Sequence, residues 1–417
     1  MAEPETSPLA GRIAFTYPGF GLFLTARLFT VACVEMQSIA VGWQIFQITH
    51  KPFDLGLVGL MQFLPGVLLF LVSGQTADRF PRRRVLIFCY AGYAVCSALL
   101  FLITLHGVRS VHQIYAVMVL VGIVRSFNGP ATRAIVPEMV PEEHLPNAVA
   151  WGSSTFQAAT ILGPSIGGVI YAIANSALPV YATSMTLSAA AMVSMLGVNP
   201  ISKLGHRAPV TAKTVLAGLR YVWQKKIVLG LISLDLFAVL LGGATALLPA
   251  VASEILHTGP WGLGLLRGAV GIGAATMAIF LAYRPVRRNT GAIMLWCVAG
   301  FGIATILFGI SQNLYLSLAA LILVGATDMV SVVIRGVLIQ IATPDEMRGR
   351  VNAVDMVFIG ASNELGGFES GTTATWFGTV PAIILGGIGT LVVTALWAWG
   401  FPDLRRTDRL TGEQVQG

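Results

Sequence analysis

The sequence predicts an all-α polytopic membrane protein of twelve transmembrane helices in two six-helix bundles, and three observations predict it. Of 417 residues 55% are apolar and 11% charged, with a mean hydropathy of +0.77, whereas soluble domains carry about 25% charged residues. The apolar residues gather into twelve runs, each close to the roughly 20 residues a helix needs to cross a bilayer. Two loops also repeat at a common offset of 205 residues, near half the chain length.

In chain order the apolar runs fall at 20–48, 55–77, 84–105, 111–133, 147–173 and 176–197, then at 227–255, 261–283, 291–311, 313–341, 350–372 and 377–400. Each is bounded by Pro, Gly, Arg or Lys, residues that end helices or anchor them at the membrane surface. The longest polar connection, 198–226, separates the two sets of six. The expected organisation is a tail at 1–19, a bundle at 20–197, a linker at 198–226, a bundle at 227–400 and a tail at 401–417. The opening MAEPETSPLAGR is polar and mildly acidic. It lacks the basic n-region of a cleaved leader, so the first span is expected to stay.

Orientation follows from Lys and Arg, which concentrate in cytoplasmic connections. Nineteen of the 26 fall in the two tails and the even-numbered connections, against Lys51 and Arg109 on the other side. Both termini are therefore expected in the cytoplasm. The other five, Arg27, Arg125, Arg133, Arg267 and Arg335, lie in spans or at their edges.

The duplication rests on two loops. Arg79-Phe-Pro-Arg82-Arg83 matches Arg284-Pro-Val-Arg287-Arg288 as R-x-x-R-R, and PEEHLPNAV from Pro141 matches PDEMRGRVNAV from Pro344. Asn147 and Asn352 share the 205-residue offset of the arginines. Parallel repeats of this kind seat a substrate near the membrane midplane, between halves that rock about it.

Several function classes fall away on composition. Cys33, Cys89, Cys96 and Cys297 sit in apolar runs without C-x-x-C spacing, and all six histidines lie in or beside connections. Neither a disulfide framework nor a metal site is expected, and no cofactor is implied. A nucleotide-binding G-x-x-x-x-G-K-[ST] segment is missing, which argues against direct ATP use. The net charge of +7 belongs to membrane-flanking loops and not to a nucleic-acid surface. The expected partners are a small-molecule substrate, protons and the lipid bilayer, with the chain acting as a monomer.

Motifs sharpen the class. Gly74-Gln-Thr-Ala-Asp78-Arg79-Phe-Pro-Arg82-Arg83 resembles the G-x-x-x-D-R-x-x-R-R signature of the major facilitator superfamily. Ala159-Thr-Ile-Leu-Gly163-Pro164-Ser-Ile-Gly167-Gly168 resembles the G-x-x-x-G-P-x-x-G-G element of its export-type members, with Ala for the first Gly. Small residues there let backbones approach, and Pro164 removes one helix hydrogen bond. Gly163-Pro-Ser165-Ile-Gly167 also fits G-x-S-x-G, but a hydrolase elbow needs a strand-turn-helix and a partnered His. Gating is expected from Gly74, Asp78, Arg79, Arg82, Arg83, Gly163, Pro164, Gly167 and Gly168.

Charges inside the membrane are costly and mark function by default. Arg125-Ser-Phe-Asn-Gly129 resembles the R-x-x-x-G element of proton-coupled members, and the in-span acids are Glu35, Asp235, Asp328 and Glu364, with Asp355 and Glu369 nearer span ends. Glu35, Arg125, Asp235 and Asp328 are the candidate proton-coupling residues. Resemblance to multidrug antiporters favours Glu35, opposite Arg125. Asp328 and Arg335, seven apart on one helical face, could instead neutralise each other. A polar and aromatic set, Gln37, Trp43, Gln44, Gln62, Phe63, Phe156 and Gln157, is the candidate substrate-binding surface.

Further stretches, RSFNGPATRAIVPEMVPEEHLPNAV, ILGPSIGG, LAGLRYVW, ALLPAVASEIL and PDEMRGRVNAV, resemble the enterobactin-exporter and macrolide-efflux branch. That resemblance implies a secondary active exporter in a bacterial-type inner membrane, driving proton-antiport efflux of a hydrophobic, drug-like or siderophore-like molecule by alternating access. The rivals are an importer or uniporter on the same fold and a transport-dead sensor. An enzyme would need a nucleophile-base pair or metal ligands inside the spans, which the placement of His and Cys does not supply.

Overall fold

The computed structural model of the chain describes residues 10–200, 212–286 and 288–406, and among these every regular element is helical. A 3-10 segment, Ala10–Thr16, leads into α1 (Phe20–Thr49), α2 (Pro52–Leu68), α3 (Phe70–Arg79), α4 (Arg82–Leu105), α5 (Val111–Met139), α6 (Leu145–Ala174) and α7 (Leu178–Leu196). After the linker come α8 (Ala212–Gln224), α9 (Lys226–Gly242), the three-residue α10 (Leu248–Ala250), α11 (Gly259–Tyr283), α12 (Thr290–Ile310), α13 (Leu314–Ala342), α14 (Asp345–Phe377), α15 (Thr379–Gly400) and α16 (Pro402–Arg406). A π turn, Val251–Ile255, carries α10 onward.

Among the described residues ten helices are long and apolar enough to cross a bilayer, and α2 with α3, bent by 60° at their junction, makes an eleventh when the pair is counted as one span. The bend follows Pro65 and Gly66, where a missing donor and a flexible backbone weaken the helical ladder. The remaining predicted span is α14, 33 residues long. It carries Asp355, Glu364 and Glu369, which lower its apolarity below that of its neighbours.

The chain divides into two compact units: residues 1–40 with 64–210, and residues 41–63 with 211–417. The hairpin formed by the end of α1 and the start of α2 thus packs with the C-terminal residues.

In the first unit, small residues of α6 admit α1. A β-carbon at Gly163 would lie 2.8 Å from that of Glu35, and one at Gly167 would lie 2.9 Å from the α-carbon of Met36. The G-P-x-x-G-G element is therefore the surface against which the first span lies. Ser97 donates to the Gln37 side-chain oxygen at 2.9 Å, and the Cys33 sulfur lies 2.9 Å from the Ser188 hydroxyl, so these buried polar groups satisfy each other. Arg82 pairs with Glu138 on α5 at 2.6 Å. Arg83 caps the end of α7, donating to the carbonyls of Met195 and Leu196 and to the Asn199 side chain. Cations at a helix C-terminus also oppose its dipole. The side chain of Asp78 lies outside the described residues, while Arg79 is exposed.

In the second unit α11 and α13 cross where Gly273 meets the Ile322 carbonyl and Gly325 meets the Val270 carbonyl, leaving no room for a β-carbon. The 41–63 hairpin docks on α14 through Gly56, where a β-carbon would lie 2.8 Å from the Gly367 carbonyl oxygen. Helix α8 lies on this unit: Val222 is buried, and the Tyr221 phenol donates to the Ala342 carbonyl at 2.9 Å. Burial pushes the Tyr221 phenol above its ordinary pKa. The outer face shows Leu216, Arg220 and Trp223 to the surroundings, an apolar and basic mixture suited to a membrane surface.

Candidate functional site

The densest buried charge among the described residues lies in the second unit, on α9, α13 and α14. Arg335 is 3% exposed; its Nη1 pairs with Asp235 Oδ2 at 2.9 Å and donates a hydrogen bond to Asp355 Oδ1 at 3.0 Å. Asp235, itself 7% exposed, comes from α9, and Asp355 from α14. One guanidinium thus ties three helices. Its Nε is buried without a hydrogen-bond partner, so the arginine retains unused donor capacity. Ion pairs this deep are expensive to desolvate and contribute little net stability, yet removing one partner strands a buried charge.

The pairing of Asp328 with Arg335 considered from their spacing does not form. Spacing along one helix aligns the two residues but does not see Asp235 and Asp355 arriving from other helices, and these take the guanidinium. Among the described residues no hydrogen bond or ion pair holds Asp328, though it lies within electrostatic range of Asp235 and Arg335. It lines a cavity of about 170 Å³ together with Asp235, Arg335, Thr305, Phe301 and Asn363. A separate void of about 10 Å³ lies beside Asp235, Asp328 and Ser331, roughly the room for one water molecule. With Asp355 on the far side of the ion pair, three acids surround one guanidinium, and two of them, Asp235 and Asp328, face the cavity.

The other in-span acids differ. Glu369 accepts from Thr373 at 2.8 Å and from Ser370 at 3.5 Å, and Glu364 lies against Gly59 of the hairpin, whose β-carbon would come within 2.9 Å of it. In the first unit Glu35 is half-buried beside Gly163, and Arg125 is exposed partway along α5. No ion pair joins Glu35 to Arg125 among the described residues.

The substrate-binding candidates are dispersed. Gln37, Phe156 and Gln157 belong to the first unit, and Trp43, Gln44, Gln62 and Phe63 to the second. Gln37 is buried and commits its oxygen to Ser97, whereas Phe156 is 43% exposed. Sequence reasoning misses the role of Asp355, which lies near a span end, and leaves Arg335 with only its own helix for company. The signal available is weak: an arginine and an acid twenty residues apart, on helices joined by a short turn. No cluster of three or more His, Cys, Asp or Glu able to hold a metal occurs among the described residues.

Long apolar helices around a buried ionic cluster and a polar chamber define a membrane transporter, and solved structures agree on the fold. A point mutant of the nucleoside transporter NupG superposes with a TM-score of 0.72 over 92% of this chain and 100% of that one, at 14% identity. A transporter of the POT family gives 0.73 over 93% and 96%, at 11% identity. The match to the family described as transmembrane secretion effector covers residues 8–412, and the chain belongs to that family of major facilitator transporters. Among named relatives, the enterobactin exporter EntS of Shigella boydii serotype 4 (strain Sb227) is 26% identical over 407 residues, 96% of this chain and 95% of that protein. The enterobactin exporter EntS of Escherichia coli O157:H7 (strain EC4115 / EHEC) matches to the same extent. The protein is thus a transporter and not an enzyme.

Proposed function

We propose that the chain is a proton-coupled exporter that carries small hydrophobic, drug-like or siderophore-like molecules out of the cytoplasm, as a monomer with both ends on the cytoplasmic side. Export is supported by the secretion family and by relatives named as exporters. Proton coupling is supported chiefly by one observation: Arg335 is held by Asp235 and Asp355 while Asp328 stands beside them in a cavity without a bonded partner.

The coupling step follows from charge balance. A proton binding Asp328 turns a carboxylate into a neutral acid and leaves Arg335 bridging Asp235 and Asp355. When that proton leaves, the restored carboxylate competes for the guanidinium and loosens its hold on α9 and α14. The protonation state of one side chain thereby selects how three helices are tied together. Low local dielectric strengthens both alternatives.

The test uses everted vesicles loaded through an imposed pH gradient, with a fluorescent hydrophobic dye as probe. Asp328→Asn is expected to reduce gradient-driven dye movement at least tenfold while the protein stays folded and membrane-inserted. Undiminished gradient-driven movement in that variant contradicts the coupling role.

A further inference from the structure

The first unit holds an arginine, Arg27, with no carboxylate at ion-pair distance among the described residues. Arg27 lies on α1, seven residues from its start, which is about 10 Å along the helix axis. Its guanidinium carbon sits 5.9 Å from the centroid of the Phe156 ring on α6. One turn earlier on α6, a β-carbon at Gly152 would come within 2.8 Å of Arg27 Nη1. The guanidinium therefore lies flush against α6, in space that only glycine leaves, with Phe156 as its aromatic floor. No carboxylate lies within ion-pair distance of Arg27 among the described residues. Its electrostatic neighbours are the Tyr90 phenol and a second cation, Arg133 of α5.

A half-buried guanidinium beside another cation, with no acid opposite, is unfavourable unless an anion or water completes it. The protein could have placed an acid here, as it did for Arg82 with Glu138. Phe156 keeps 43% of its surface exposed, so the ring is open to a second planar group. A guanidinium offers paired donors to a carboxylate or phenolate, and an aromatic face offers stacking.

We propose that Arg27, Arg133 and Phe156 form a loading site for an anionic aromatic group, a carboxylate or phenolate carried on a flat ring. The site deepens the exporter reading and rests on it. In the orientation set by the loop charges, Arg27 near the start of α1 and Arg133 near the end of α5 fall toward the cytoplasm, where an exporter collects its cargo. The acidic chamber of the second unit has the wrong charge for such a group and is left to the proton.

The experiment measures equilibrium binding to the full-length protein in lipid nanodiscs, without a proton gradient, using two probes of one shape: pyrene-1-carboxylate and pyrenylmethylammonium. The anion is expected to bind at least tenfold more tightly. Arg27→Gln should abolish that preference, weakening the anion about tenfold and the cation little, while Arg27→Lys restores part of it and Phe156→Leu weakens both probes. Arg133→Gln gives a second reading should Arg27→Gln fold poorly, with a smaller loss confined to the anion. Equal affinity for the two probes in the parent protein, or equal losses for both in Arg27→Gln, overturns the proposal. Because no gradient is present, a failure here is separate from a failure of proton coupling, which only the vesicle assay reads.

Discussion

The two units share a duplicated sequence plan and differ sharply in what they bury. In the first, the charges within spans are chiefly arginines, Arg27, Arg125 and Arg133, with Glu35 as an acid among them and Glu138 committed to Arg82. In the second they are chiefly acids, Asp235, Asp328, Asp355, Glu364 and Glu369, with Arg335 shared between two of them and Arg267 on α11. At the 205-residue offset the correspondence disappears: Asp235 aligns with Thr30, Asp328 with Ile123, Arg335 with Pro130, and Arg27 with Ile232. Even the loop ion pair is one-sided, since Thr343 stands where Glu138 does in the first half. On a repeated loop pattern, differing charges make one unit basic and the other acidic.

Stability separates Arg335 from Arg27 most sharply. Arg335→Leu strands Asp235 and Asp355 as buried acids and is expected to cost about 3–5 kcal/mol, seen as a large fall in the thermal unfolding midpoint. Arg27→Gln, in the basic unit, removes a charge with no ion-paired carboxylate among the described residues and should leave the midpoint nearly unchanged. Comparable losses in both would erase the distinction between a structural and a ligand-directed arginine.

The next effect concerns the α1–α6 contact. Gly163→Leu forces a side chain into space already held by Glu35 and Ala32, and overpacking of this kind costs about 1–3 kcal/mol. Transport and melting temperature should fall together. A variant that transports normally would show that the helices separate at no cost. Smallest is Tyr221→Phe, which deletes one hydrogen bond to Ala342 and should lower stability by about 1 kcal/mol without changing transport.

Much of the fold is readable because hydropathy is additive along the chain: a run of apolar residues announces a span whatever it packs against. The exceptions have physical causes. Helix α14 reads as a span by its position between turns, although its acids make it polar, and the 60° bend between α2 and α3 hides inside one apolar run. The grouping of 41–63 with the second unit depends on contacts such as Gly56 with Gly367, which no local pattern encodes. Candidate charges are readable as types, since a lone ion in lipid stands out. Their partners are not, because Arg335 is paired from α9 and α14, and spacing along α13 reports only its own face.

In the proposed mechanism the acidic unit, and not the basic one, carries the proton. Gradient-driven dye efflux in everted vesicles, compared between Asp328→Asn and Glu35→Gln at matched expression, tests it. Asp328→Asn is expected to lose at least tenfold more of the gradient-driven rate than Glu35→Gln. The reverse order, with Glu35→Gln the more damaging, would contradict it.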